Sequence, residues 1–167
     1  MEIQNKLIIL VGISGSGKST FATNLIKENP NTLRINRDSI RLTLVGSLDG
    51  YYQRKDLNKI EHIVNTTEED LIYSFAGEKY DIIIDNTNLK QSYINRFLKH
   101  YIIERDYTIQ FKLFDVELED AKERVKFRDN THTNNYGDYI DKQYLQYKEI
   151  KQYLLTYYPD QILWINY

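Results

Sequence analysis

The apolar residues of this chain fall into short runs, separated by longer stretches in which they recur every three or four positions. The runs stand at 7–11 (LIILV), 33–36 (LRIN), 81–85 (DIIID), 109–114 (IQFKLF) and 162–165 (ILWI). A block without polar alternation is the pattern of a strand covered on both faces, as in a parallel sheet. The intervening stretches, at 18–28, 38–45, 56–78, 91–105, 117–128 and 141–156, carry helical spacing. Strand–helix alternation of this kind predicts an α/β fold: a five-stranded parallel sheet with helices on both faces.

Pro30 and Pro159 stand where predicted helices end. No repeat, low-complexity tract or linker interrupts the pattern, so one domain over 1–167 is expected. "DNTHTNNYGD", 129–138, is the most turn-rich stretch. It is either a plain surface loop or part of a lid over about 124–138.

Composition narrows the class. Of 167 residues, 41% are hydrophobic and 28% charged, ordinary values for a soluble globular protein. No apolar run is long enough to cross a bilayer, and "KLIILVG" is too short for a signal peptide. The absence of cysteine excludes disulfides and thiolate chemistry, which fits a cytoplasmic protein. With 22 basic against 24 acidic residues, the chain is not built to coat nucleic acid through an extended basic surface. A local basic pocket is compatible with that balance. The 15 tyrosines belong mostly to core and half-buried positions, and exposed ones can stack on bases.

"GISGSGKST", 12–20, fits G-x-x-x-x-G-K-[ST] and lies between the first strand and the first helix, the context the motif requires. Glycines allow successive N–H groups to point at phosphate oxygens, and the helix N-terminus adds partial positive charge. Gly12, Ser14, Gly15, Ser16, Gly17, Lys18, Ser19 and Thr20 are therefore the candidate nucleotide-binding residues, with Lys18 on the β- and γ-phosphates and Ser19 on Mg²⁺. A GTP switch would also carry N-K-x-D; "NKIE" at 58–61 lacks the aspartate.

Two strand ends supply further polar groups. "YDIIIDNTN", 80–88, leaves a buried block with Asp85, Asn86, Thr87 and Asn88, where α/β sheets form their ligand crevice. Asp85 is the candidate to orient Mg²⁺; the other three can contact substrate, or simply form a turn. "RINRDSIR", 34–41, places Asp38 between Arg37 and Arg41 as the second strand gives way to a helix. A plain reading makes Asp38 the helix N-cap. The capping-box partner is missing, because Arg41 stands where Glu or Gln would. A carboxylate here can instead accept the proton of a phosphoryl-acceptor hydroxyl, with Arg41 suited to a second anion on the acceptor. "ERVKFRDN", 123–130, puts Arg124 and Arg128 on one helix face leading into the turn-rich stretch. That is the arrangement of lid arginines that close on a triphosphate, or of a solvated face paired with nearby acids.

The ordered set "GISGSGKST", "INRDSIR", "DNTNL", "KLFDV" and "ERVKFR" resembles the 5′-hydroxyl polynucleotide kinases, over essentially the whole chain. The weaker "DYIDKQYLQYK" matches the helix after the lid. The resemblance implies transfer of the γ-phosphate of ATP, or of another NTP, to the 5′-OH of DNA or RNA in end healing. Asp38 would be the general base, Arg41 the holder of the phosphate on the 3′ side, and Arg128 with Arg124 the lid arginines. The pattern departs from the phage members in carrying Asn86, not Asp, directly before Thr-Asn. It also lacks their D-x-D-x-T phosphatase motif, so a stand-alone kinase with separate phosphatase and ligase partners is expected. Two other readings stay open: a P-loop kinase of a nucleoside or other small molecule, which needs no Arg41, and an ATP-binding regulatory module with slow ATPase, which needs no Asp38.

Overall fold

The structure, a computed structural model, describes residues 4–100, 103, 106–129 and 136–163, the side chains of 128, 129 and 136 excepted. Strand β1 (Asn5–Val11) leads through the glycine loop into α1 (Lys18–Glu28). Then follow β2 (Thr32–Ile35), α2 (Arg37–Val45), α3 (Leu48–Tyr52) and α4 (Leu57–Gly77). The chain continues with β3 (Asp81–Ile84), α5 (Gln91–Leu98), β4 (Tyr107–Leu113), α6 (Leu118–Asp129) and α7 (Tyr136–Tyr157). A 3₁₀ turn, Pro159–Gln161, ends the described elements.

The sheet is parallel in the order β2-β3-β1-β4. Among the described residues it has four strands, not five. The fifth apolar block meets β4 through a single bridge, Phe111 to Ile162, and its residues 164–165 lie outside the described residues. Period-two alternation sends Leu7, Ile9 and Val11 of β1 to one face and Ile8 and Leu10 to the other. The first face packs against α4, α5, α6 and α7 through Ile72, Ile94, Val125 and Leu154. The second packs on α1 through Ala22, with Phe21 and Leu25 beside it. Each fully buried isoleucine of β3 contributes about 1.5–3 kcal/mol, and Ile82, Ile83 and Ile84 are all fully buried.

Helix ends follow local chemistry. Asn36 caps α2, its side chain accepting from Ser39 N–H at 2.8 Å. Gly46, at φ +80°, closes the same helix with its N–H on the Leu42 carbonyl. The short helix α3, capped by Ser47, falls between two expected helices, in a stretch assigned to no element. Helix α7 starts five residues before its expected 141, taking in part of the turn-rich stretch; residues 130–135 of that stretch lie outside the described residues.

Because β2 and β4 lie on opposite sides of the β3–β1 pair, the chain reverses direction across the sheet there. The loops leaving β1 and β3 meet at that point, with Gly12 N–H donating to the Thr87 carbonyl at 3.1 Å. This places the glycine loop and the "DNTN" loop in one crevice.

Candidate active site

The crevice is a cavity of about 790 Å³ lined by the glycine loop, the start of α2, α3 and the loop after β3, with α4, α5, α6 and α7 adding side chains. Gly15 and Gly17 hold positive φ, +79° and +94°. A side chain at Gly15 would also place its Cβ 2.5 Å from the Ala121 carbonyl oxygen. No side chain caps α1 at Gly17, which leaves the first N–H groups of the helix to a ligand. Lys18 is buried and its Nζ donates to the Ile13 carbonyl at 2.6 Å. Ser14, Ser19 and Thr20 line the cavity, and Ser14 N–H donates to Gln143 Oε1 of α7 at 2.8 Å. Ser16 is buried on the far side of the loop, and Gly12 packs so closely on Phe114 that a Cβ there would lie 2.9 Å from it.

Arg124 of α6 reaches the same loop, its Nη1 3.4 Å from the Gly15 carbonyl. The side chain of Arg128, the other expected lid arginine, lies outside the described residues. Beside the loop a second cavity, of about 1090 Å³, runs between α1 and the end of β4. Gly17, Thr20, Phe21, Phe114 and Arg124 line it.

Asp38 stands in the first turn of α2 with its side chain 60% exposed to the cleft. Asn36 has taken the cap, so the plain reading of Asp38 as N-cap is corrected. Arg41 donates from Nη1 to Asp38 at 2.6 Å and from Nε and Nη2 to Glu61 at 2.8 and 2.9 Å. Burial works against its charge, but the bonds and attraction of Glu61 and Asp38 outweigh that and push the guanidinium further toward permanent protonation. The Arg41 bonds in turn hold Glu61 down to about 2, against the burial that alone would raise it.

Three expected substrate contacts are spent inside the fold. Arg37 donates to Asn65, Glu68 and Glu61. Asn86 accepts from Arg37 N–H at 2.9 Å and donates to Glu68 at 2.8 Å, so its amide latches the loop to α2 and α4. Asn88 is buried at φ +51° and donates to the Leu10 carbonyl. These side chains hold the walls, since a buried polar group must find a partner. Thr87 remains on the cleft wall, tied through its carbonyl to Gly12.

Asp85 has a divided environment. Its Oδ2 accepts from Arg34 Nε at 2.8 Å and from Nη2, while Oδ1 is buried without a hydrogen-bond partner. A buried carboxylate oxygen left unpaired is costly. Both Asp85 and Ser19 line the cleft, so one carboxylate and one hydroxyl oxygen are available to a hard cation. Among the described residues no group of three or more His, Cys, Asp or Glu forms a dedicated metal cage. The carboxylate and hydroxyl pair is a donor set that suits Mg²⁺, which is commonly held by one or two protein oxygens plus substrate phosphates and water.

A family model described as an AAA domain matches residues 7–152. The chain belongs to this AAA-domain family. Relatives of the family member share more than the loop. It is 30% identical over 159 residues, 89% of this chain, to a protein of Autographa californica nuclear polyhedrosis virus named "Putative bifunctional polynucleotide kinase/RNA ligase". A chain in the structure of a Pnkp1/Rnl/Hen1 RNA repair complex superposes with a TM-score of 0.76 and 28% identity over 92% of this chain. A chain of the PezAT toxin–antitoxin system of Streptococcus pneumoniae, at TM-score 0.64 and 20% identity over 90% of this chain and 64% of that one, shares the fold. The chain spans 22% of the viral relative and 47% of the repair-complex chain.

Several cleft residues of this AAA-domain protein escape a reading of local motifs: Glu61, Glu68, Tyr93, Arg96, Tyr139 and Gln143. One of them leaves a trace. Ile60, Val64, Glu68, Ile72 and Ala76 are the buried stripe of α4, spaced four apart, and Glu68 is the charged member. A carboxylate in an apolar stripe demands cationic partners, and it has them in Arg37 and Arg96. Among the described residues no helix is long and apolar enough to cross a membrane.

Proposed function

We propose that this chain is an ATP-dependent polynucleotide 5′-hydroxyl kinase acting in nucleic-acid end healing. The observation that carries the reading is the pairing, in one cleft, of a phosphate-binding loop with an exposed carboxylate, Asp38, whose neighbour Arg41 is a fixed cation. An ATPase module needs no such acid, and a neutral small acceptor needs no such arginine. The names of the viral relative and of the repair complex support a polynucleotide acceptor, and both name RNA.

In this reading Asp38 accepts the proton of the 5′-OH as its oxygen bonds to the γ-phosphorus and the bond to the departing ADP oxygen breaks. Arg41 binds the phosphodiester on the 3′ side of the acceptor nucleotide. Lys18, Arg124 and the N–H groups at the start of α1 hold the triphosphate charge, with Arg128 assigned beside Arg124. Ser19 and Asp85 would hold Mg²⁺, which supplies charge neutralisation on the phosphates. Thr87 contributes to the acceptor wall. The nucleoside of the donor would occupy the cavity beside Phe21 and Phe114. Completion of repair would also need phosphatase and ligase activities.

The test is label transfer. The protein is incubated with Mg²⁺, γ-labelled ATP and a 5′-OH RNA, beside the same RNA carrying a 5′-phosphate and a DNA of the same sequence. Label on the 5′-OH strand and none on the phosphorylated control is expected. Consumption of ATP with no label on any strand would overturn the reading in favour of a small-molecule kinase or an ATPase.

A further inference from the structure

Arg41 touches three groups, and they constrain it differently. Glu61 takes the Nε–Nη2 edge side-on, with two bonds. The Tyr51 ring lies against the guanidinium, 5.4 Å from its centroid, and the Tyr51 hydroxyl donates to Glu61 Oε1 at 2.7 Å. Asp38 receives one bond, from Nη1. A guanidinium carries about five N–H groups; three are used by these carboxylates, leaving two. Glu61 is itself anchored: it sits on α4 next to buried Ile60, one turn before fully buried Val64, and also accepts from Arg37 at 2.8 Å.

An arginine one helical turn from an aspartate is free to close a two-bond, fork-to-fork pair with it. Such a pair would occupy both oxygens of Asp38 and spend the N–H groups an acceptor phosphate needs. With Glu61 on the Nε–Nη2 edge, Asp38 takes a single bond, from Nη1 to Oδ1, and its second oxygen is left unbonded by Arg41.

We infer that Glu61 is a positioning residue for Arg41, and that it divides one guanidinium between the acceptor base and the acceptor phosphate. The inference rests on the kinase reading above. Glu61 and Tyr51 keep the Nε–Nη2 edge occupied. Asp38 therefore keeps an oxygen for the hydroxyl proton, and two N–H groups stay available to the phosphate on the 3′ side of the acceptor. The carboxylate that orients this arginine comes from α4, more than a helix away in sequence, and not from the loop after β3, where Asn86 serves as a latch.

The experiment compares Glu61→Gln, Glu61→Asp and the unaltered protein on two acceptors: a 5′-OH dinucleotide with its phosphodiester, and a nucleoside with no 3′ phosphate. Glu61→Gln should raise KM for the dinucleotide about tenfold or more, since a charge-assisted contact is lost. KM for ATP and KM for the nucleoside should stay within about twofold, and Glu61→Asp should recover part of the loss. Should Glu61→Gln fail to fold, Tyr51→Phe removes one bond to Glu61 and keeps the ring. Its dinucleotide KM should rise in the same direction by about threefold. Unchanged dinucleotide KM, or equal rises for both acceptors and ATP, overturns the positioning role. An unaltered protein that phosphorylates neither acceptor overturns the kinase reading itself, and this inference with it.

Discussion

Residues 12–20 and residues 37–96 line the same cleft and hold charge by different means. The first region is contiguous and works through its main chain: positive-φ glycines, an uncapped helix start, and one buried lysine. The second is assembled from α2, α3, α4, the loop after β3 and α5, and works through side chains. Glu68 alone joins Arg37, Arg96 and Asn86. Main-chain donors at a helix start offer an anion a fixed set of N–H groups. Side-chain donors, held by other side chains, can be tuned to an acceptor. The cradle therefore depends on backbone conformation at a few points, and the acceptor wall depends on an ionic network that fails as a unit.

The comparison breaks most sharply at the two chemical centres. Asp38→Ala should lower transfer by about 10²–10⁴-fold, the range for a general base, and leave nucleotide affinity unchanged. Lys18→Ala should lower transfer by about 10²–10³-fold, as loss of one charge-stabilising donor does, and weaken nucleotide binding as well. A fluorescent nucleotide titration run beside the transfer assay separates the two. Loss of nucleotide affinity in Asp38→Ala would mean that the two regions are not separable.

Stability gives the next contrast. Glu68 is fully buried, and removing it takes a carboxylate from both Arg37 and Arg96 and an acceptor from Asn86. Glu68→Ala should cost about 3 kcal/mol, the low end for breaking a buried pair, because both arginines keep other partners. Gly17→Ala meets open space, since nothing lies within 4 Å of its Cβ, and pays only for its φ of +94°. About 1–2 kcal/mol is expected there. Urea unfolding of both variants, with midpoint and slope compared, checks the order. A Gly17→Ala loss exceeding that of Glu68→Ala would reverse the assignment of stability to the wall.

The same contrast explains what could be read from the chain in advance. The cradle was visible because its nine residues are consecutive and its glycines have a backbone reason. Strands β1 and β3 were visible because buried parallel strands write themselves as solid apolar blocks, β3 being three isoleucines after an aspartate; β2 and β4 carry interleaved polar residues and were visible as short apolar runs between helical stretches. The fifth block is equally apolar; among the described residues it meets β4 at the Phe111–Ile162 bridge, and its residues 164–165 lie outside them. In the wall, Asp38 and Arg41 were visible through adjacency at a strand end. Arg37, Asn86 and Asn88 looked equally available, and only long-range partners show that they are spent: Glu61 and Glu68 for Arg37, Glu68 for Asn86, Leu10 for Asn88. Their roles rest on residues 18 to 78 positions away, a separation that no local pattern records.

The smallest expected effect concerns acid. Glu61 is held down from its usual 4.5 to about 2, chiefly by the Arg41 hydrogen bonds. A depressed carboxylate stabilises the folded state above its unfolded pKa, and that contribution disappears as pH falls through the folded one. The difference in unfolding free energy between the unaltered protein and Glu61→Gln should thus be full at pH 5 and shrink toward pH 2. Glu61 is 30% exposed, so water screens the pair and the change should be about 1 kcal/mol or less. Its partner Arg41 is pushed further toward permanent protonation, and the Tyr51 hydroxyl is raised by burial and by Glu61. The same comparison for Lys18→Ala should show no such pH slope, since the cradle there rests on a lysine and main-chain groups. A Glu61→Gln difference that is flat from pH 5 to 2 would mean that the wall does not draw stability from this ion pair. Its contribution would then lie in orientation alone.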